Sequence, residues 1–211
     1  STGDGDDQVF SIQYAQSADV MWLVHPSWKP QVIKKTSATA FTIAAFDSGL
    51  TGLALAQARP YLNQNATSTT MTINTATVGT GRTLTSSTAY FNDRMIGSYI
   101  AVQSGTSTGA GGGMGFAKIT ATGGTVTVPT TTATVEVVVA FADTSAHTTW
   151  WESAWSDYRG WPRTVCIFQQ RLCMGAAVPT TGQNVDPLGI PAGQPDTVWC
   201  SGTGNYFKFN A

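Results

Sequence analysis

Glu152 and Asp157 flank Trp155, and two carboxylates beside an aromatic ring are the equipment of a glycoside hydrolase. One carboxyl would protonate the glycosidic oxygen, the other would serve as nucleophile or base, and the indole would carry the sugar. No further residue stands at a spacing that completes a catalytic set, and no GxSxG elbow occurs. His25 and His147 lie far apart, each without a second ligand at i+2 or i+4, so no metal site is expected. His25, just before Pro26, reads instead as a hydrogen-bonded residue closing a strand. Asp4, Asp6 and Asp7 invite a calcium reading, but neither the calcium loop nor its closing Glu follows. They read as a solvated leader, or as a connection within a longer chain.

The run from Gly109 to Gly115 has the composition of a phosphate-cradling loop. It lacks the GxGxxG spacing and a following Lys-Ser/Thr, and it opens a strand rather than a helix. A flexible hairpin tip is the expectation. Asn65-Ala66-Thr67 is a glycosylation sequon by letter, relevant only in a secretory pathway. No catalytic residue, cofactor or metal is therefore assigned.

Two residue types remain as resources. The three cysteines, Cys166, Cys173 and Cys200, form no CxxC pair and leave one odd thiol. That count argues against a disulfide scaffold and fits a reducing cytoplasm, so all are expected free. Cys166 and Cys173 flank a hairpin and could face each other across it. The seven tryptophans could stack sugars or peptides if exposed, or anchor cores and interfaces if buried. Their neighbours, Gly, Pro and Arg, favour packing. Arg163 beside Trp161 and Arg159 beside Tyr158 are placed to lay a guanidinium on a ring.

The elements that must position these residues read as strands. Val165 to Phe168 and Arg171 to Met174 flank Gln169-Gln170, the pattern of two strands joined by a two-residue hairpin loop. Thr197 to Cys200 is a further short strand, closed by a Ser-Gly-Thr-Gly turn. Val20 to Val24 is apolar on both faces, as in a strand buried between layers, and His25-Pro26 stops it. Phe41, Ile43 and Ala45 mark a weaker strand, and Lys34-Lys35 a solvated hairpin end. In the Thr-, Ser- and Gly-rich middle, strands are expected at 71–74, 99–102, 116–119, 125–128 and 134–141, with a helical turn at 91–97. Val135, Val137, Val139 and Phe141 should share one face, with Ile100 and Ile119 in the same core.

The fold expected is all-β, with propeller-like antiparallel sheets and a small inserted β-barrel or sandwich. Residues 1–60 begin the propeller-like domain, 61–148 form the insertion and 149–211 return to the first domain.

Composition narrows the partners. At 22.2 kDa the chain can bury about 70% of its unfolded surface, enough for a sizeable core. Charged residues make up 11%, against about 25% in ordinary soluble domains, which suggests surface covered by neighbours. With a net charge of −1 and no basic stripe beyond Lys34-Lys35, tight nucleic-acid binding is disfavoured. No apolar run is long enough to span a membrane, and no signal peptide is read. The absence of an initiating Met suggests a processed chain or a piece of a longer one.

Trp155, Ser156, Asp157, Gly160, Trp161, Pro162, Arg163, Val165, Phe168, Gln170, Arg171 and Leu172 together resemble a recurring phrase of the nozzle proteins of short-tailed bacteriophages, also called tail tubular protein B or phage stabilisation protein. Pro195, Trp199, Ser201, Gly204, Phe207 and Phe209 are similar to its second half. QYAQSADV from Gln13, then Leu23-Val24-His25-Pro26, resembles the family's amino-terminal segment. The loop 177–193 is longer than in the family, and Cys173 and Cys200 replace an aromatic or small residue.

The resemblance implies a non-enzymatic structural virion protein of the phage tail, assembled in the bacterial cytoplasm. Its subunits would form a homo-oligomeric, commonly hexameric ring below the head-to-tail adaptor, in contact with tail fibre proteins. The ring would retain the genome and pass double-stranded DNA without sequence-specific binding. Trp155, Asp157, Trp161, Pro162, Arg163, Arg171 and Trp199 would be structural anchors, with Asp157 accepting turn N–H groups. Glu152→Ala would then leave assembly intact. Two rivals stand beside this reading: a glycan-binding β domain of a tail or secreted protein, and the hydrolase built on Glu152 and Asp157.

Overall fold

The computed structural model describes residues 10–105, 113–179 and 193–209. The expectations for Asp4, Asp6 and Asp7, for the glycines from Gly109 to Gly112, and for most of the 177–193 loop lie outside the described residues. The described chain is all-β, in three antiparallel sheets, one of them curled like half a barrel.

The first sheet holds β1 (Gln13–Ser17), β2 (Val20–His25), β3 (Trp28–Lys35) and β4 (Phe41–Ala45) in chain order. Period-two alternation decides its faces: Trp22, Val24 and Val32 turn inward and are buried. Met21, Ile33 and Ile43 form a cross-strand row on the other face, and Ile43 is exposed. The doubly apolar β2 is therefore covered on one side only among the described residues, which corrects the expectation of a strand between two layers.

The second sheet has six strands in the order β10-β7-β8-β9-β6-β5. They are β5 (Met71–Ile73), β6 (Gly79–Ser86), β7 (Tyr99–Gln103), β8 (Met114–Thr122), β9 (Thr132–Val139) and β10 (Trp150–Glu152). One face buries Ile73, Leu84, Ile100, Ile119, Val135 and Val137 around Tyr90 and Trp150. The other buries Tyr99, Ala101, Phe116 and Val138 with Ala56 of α1 (Gly52–Gln57), a helix that stops ahead of Pro60.

Three details depart from the expected pattern. Val139 packs with Phe116 on the helix-covered face, away from Val135, Val137 and Phe141. A bulge is the reason: β9 carries an extra residue where Phe116 pairs with Val139 and Ala117 with Val137, so the alternation skips a step. Residues 125–128 form a turn, with the Thr125 N–H bonded to the Val128 carbonyl, rather than a strand. Finally, β10 lies beyond the expected boundary at 148 yet pairs with β7. The expected helical turn is a 3-10 turn at Asp93–Met95, capped by Asn92.

The third sheet is β11 (Thr164–Phe168), β12 (Arg171–Ala177) and β13 (Gln194–Cys200), with β12 central. Gln169 and Gln170 have φ of 47° and 60°, the positive values that a two-residue type I′ hairpin demands. Val165, Leu172 and Met174 share a core with Trp22, Val24 and Phe46, so this sheet packs on the first without hydrogen-bonding into it.

The free-thiol expectation is overturned. Cys173 and Cys200 form a disulfide, and Cys166 is the free, exposed cysteine. Register permits the bond: β12 and β13 place Cys173 directly opposite Cys200, with Cα atoms 4.1 Å apart, while Cys166 on β11 faces Cys173 from the other side.

Candidate functional site

The segment from Trp150 to Leu172 holds most of the chemistry-bearing residues, and the fold turns them inward. Glu152, on β10, is buried and receives Arg159 through Nε at 2.9 Å and through Nη2. The Tyr90 hydroxyl donates to the same carboxylate oxygen, and Arg159 Nη2 also reaches that hydroxyl at 3.2 Å. The guanidinium lies 4.9 Å from the Tyr158 ring centroid, the stacking expected for Arg159. A carboxylate enclosed in this way, with Arg159 fully buried, has no route to a sugar. Glu152 is thus a structural ion-pair partner.

Asp157 is exposed and accepts a hydrogen bond from Trp161 Nε1 at 2.7 Å. The turn N–H expected to bind Asp157 goes elsewhere: the Arg159 N–H donates to Ser156 Oγ at 2.9 Å. Gly160, with φ of 90°, closes this turn against Val178, where an added Cβ would lie 2.3 Å from the Val178 carbonyl carbon. Only glycine fits there. Pro162 is buried beside Trp161, whereas Arg163 and Arg171 are exposed and add no buried anchor.

The tryptophans divide clearly. Trp22, Trp150, Trp155 and Trp161 are buried, Trp151 and Trp199 are half-buried, and Trp28 is exposed. Trp155 meets Trp199 edge-on at 5.8 Å and Phe209 at 5.1 Å. Tyr206 packs on Trp22 at 5.0 Å, and Phe207 on Phe46 at 5.1 Å. The carboxy-terminal segment therefore acts as an aromatic strap across the core shared by the first and third sheets. Trp28 stacks on His25 at 4.3 Å, and His25 Nδ1 accepts the Ser27 N–H, as suits a strand-end residue. His147 pairs with Asp143 at 2.8 Å, and no cluster able to hold a metal occurs among the described residues.

Sequence reasoning missed a second charged cluster. Asp47 receives Arg59 and, at 2.6 Å, Lys29, while Arg59 also donates to the Gly97 carbonyl and lies over the Tyr99 ring. Nothing local marks these residues as partners, because they come from β3, two loops and the edge of β7. Burial pushes the Tyr99 hydroxyl up to about 12. Burial also works to raise Asp47, but Arg59 and Lys29 outweigh it and hold the carboxyl below its ordinary value. The folded chain thus binds this proton less readily than the unfolded one. Its stabilising contribution is complete above 3.8 and is lost as the pH falls through the lower folded value. Urea titrations of the parent and Asp47→Asn should show a parental advantage near neutrality that disappears as the pH falls through the lowered folded value. An advantage that is constant across acid pH would refute this assignment.

An open groove of about 300 Å³ lies on the inner side of β3 and β4, lined by Val32, Lys34, Thr42, Phe46, Ser48 and Phe207. Lys34 and Lys35 are exposed at the hairpin end of β3, as expected, and the Lys34 ammonium lies 5.4 Å from the Phe207 ring centroid. Among the described residues, its walls carry no carboxylate.

No model of a protein family matches the sequence, and no curated protein is significantly similar to it.

Proposed function

We propose that this chain is a non-enzymatic subunit of a ring in a short phage tail, a nozzle through which double-stranded DNA passes. The observation that carries the reading is the convergence of the family-like residues. Val20 and Val24 from the amino-terminal segment, Trp155, Trp161 and Leu172 from the central phrase, and Trp199, Phe207 and Phe209 from the last all pack in one core. Three separated stretches of sequence thus serve one structural purpose, the packing of a shared core rather than the lining of a cleft. The outer face and open edge of the first sheet support an assembled state, since Tyr14, Phe41 and Ile43 are exposed there. Low charge suits a lumen that must release DNA, because each phosphate contact would slow passage. The propeller-like arrangement with an inserted domain, the adaptor and fibre contacts, and the virion location belong to the same proposal.

The purified chain should have a native mass several times 22.2 kDa and form rings, commonly six-fold, under the electron microscope. One observation favours a second reading: the exposed Trp28 ring, stacked on His25, is shaped like a sugar platform. A lasting monomer that binds a glycan, and loses it on Trp28→Ala, would replace the ring with the glycan-binding domain.

A further inference from the structure

The three cysteines stand in one row across the third sheet. Cys173, on the central strand, is the direct antiparallel partner of Cys166 on β11 and of Cys200 on β13. Directly paired residues project from the same face, so the three side chains stand side by side, Cys173 and Cys200 with Cα atoms 4.1 Å apart and Cys166 about one strand spacing of 4.8 Å from Cys173. Val165, Leu172 and Met174 occupy the opposite, core-facing side. One sulfur in the row is an exposed thiol, and the other two are joined.

Thiol–disulfide exchange requires a thiolate to reach one sulfur of the bond from the side away from the other. A row across a sheet supplies that line, with Cys166 on one side of Cys173 and Cys200 on the other. The structure assigns to these residues a thiol–disulfide exchange site in which the bridge moves by one strand. The Cys166 thiolate attacks Sγ of Cys173, a Cys166–Cys173 bond forms, and the Cys173–Cys200 bond breaks. Cys200 leaves as a thiolate and takes a proton from water, balancing the proton that Cys166 released. One disulfide and one thiol are present before and after the step, so no external oxidant or reductant is consumed.

Exposure gives the site its selectivity. Cys173 is buried between its neighbours while Cys200 is exposed, so a thiol from solution meets Cys200 first. Cys166 is the thiol that register places beside the central sulfur. The consequence lies in the aromatic strap. Ser201 follows Cys200 and clasps β12, its N–H on the Leu172 carbonyl at 2.8 Å and its Oγ accepting the Leu172 N–H at 2.9 Å. Five residues on, Tyr206 covers Trp22. Exchange moves the covalent tether from this strap to the β11–β12 hairpin, leaving the strap held by hydrogen bonds and ring contacts alone. The site is independent of the ring reading.

Tryptic mapping of the full chain tests it. Cys166 lies in the peptide 164–171, whereas Cys173 and Cys200 share 172–208, which has no internal Lys or Arg. The chain is held at about pH 8.5, where an ordinary thiol is about half ionised, then acid-quenched, alkylated and digested. The joined peptides 164–171 and 172–208, alkylated at Cys200, should rise several-fold over a sample quenched at once. Chymotryptic cleavage after Trp199 should place the new bond on Cys173, and the joined fraction should not change with protein concentration. Complete alkylation of Cys166 at every time, a bond from Cys166 to Cys200, or a yield that scales with concentration would each overturn the proposal. In Cys200→Ser, oxidised glutathione should produce the Cys166–Cys173 bond. Separate glutathione adducts on the two sulfurs would count against it.

Discussion

Trp155→Ala should destabilise the chain by about 3–5 kcal/mol, the cost of emptying a fully buried ring site. Trp155 is 2% exposed and touches both Trp199 on β13 and Phe209 in the strap. Its removal therefore opens a cavity where three segments meet, and no single segment can collapse to fill it. Trp155→Phe should cost much less. The indole N–H finds no acceptor among the described residues, so phenylalanine loses volume but no hydrogen bond. Trp28→Ala, at the exposed tryptophan, should lie within about 0.5 kcal/mol of the parent. Urea midpoints of the three variants check the order. A Trp155→Ala variant as stable as Trp28→Ala would mean that the shared core does not hold the two sheets together.

Glu152→Ala should be comparably damaging, at about 3–5 kcal/mol, because it leaves the Arg159 charge buried without its counter-ion. Arg159 is 0% exposed and cannot reach water by a simple rotamer change. The sequence expectation for Glu152→Ala concerned assembly; the buried ion pair adds an expected cost in stability. The double variant Glu152→Leu/Arg159→Met should be more stable than Glu152→Ala, since it removes both charges from the interior. A double-mutant cycle measures the coupling. If the two single losses simply add, Glu152 and Arg159 do not act as a buried pair.

Both effects arise at residues whose types drew attention in the sequence, yet the roles came out differently. The phrase around Trp155 was legible as packing because its rings alternate with Gly160 and Pro162, and Gly160 does occupy a place where no side chain fits. Glu152 was not legible as an ion-pair partner. Arg159 is close in sequence, but Tyr90 is 62 residues away, and the burial that gives the pair its cost comes from the second sheet. Asp47 and Arg59, twelve residues apart across α1, were invisible for the same reason.

Sequence alone determined the class of the fold and much of its local structure. Short β-branched and aromatic runs broken by Gly and Pro specify strands, and the Gln169-Gln170 hairpin follows from the apolar runs on either side. These are properties of a few adjacent residues, so the chain carries them wherever it is folded. Tertiary structure decided register and face. A single extra residue in β9 moved Val139 to the opposite side of its sheet, and the pairing of β12 with β13 brought Cys200 opposite Cys173, which already faced Cys166 across the hairpin. The three cysteines share a face, and only the alignment of β12 with β13, strands separated by a long connection, brings Cys200 opposite Cys173. Such alignment is set by the summed burial of whole strands rather than by any local pattern, and so it could not be read from the sequence.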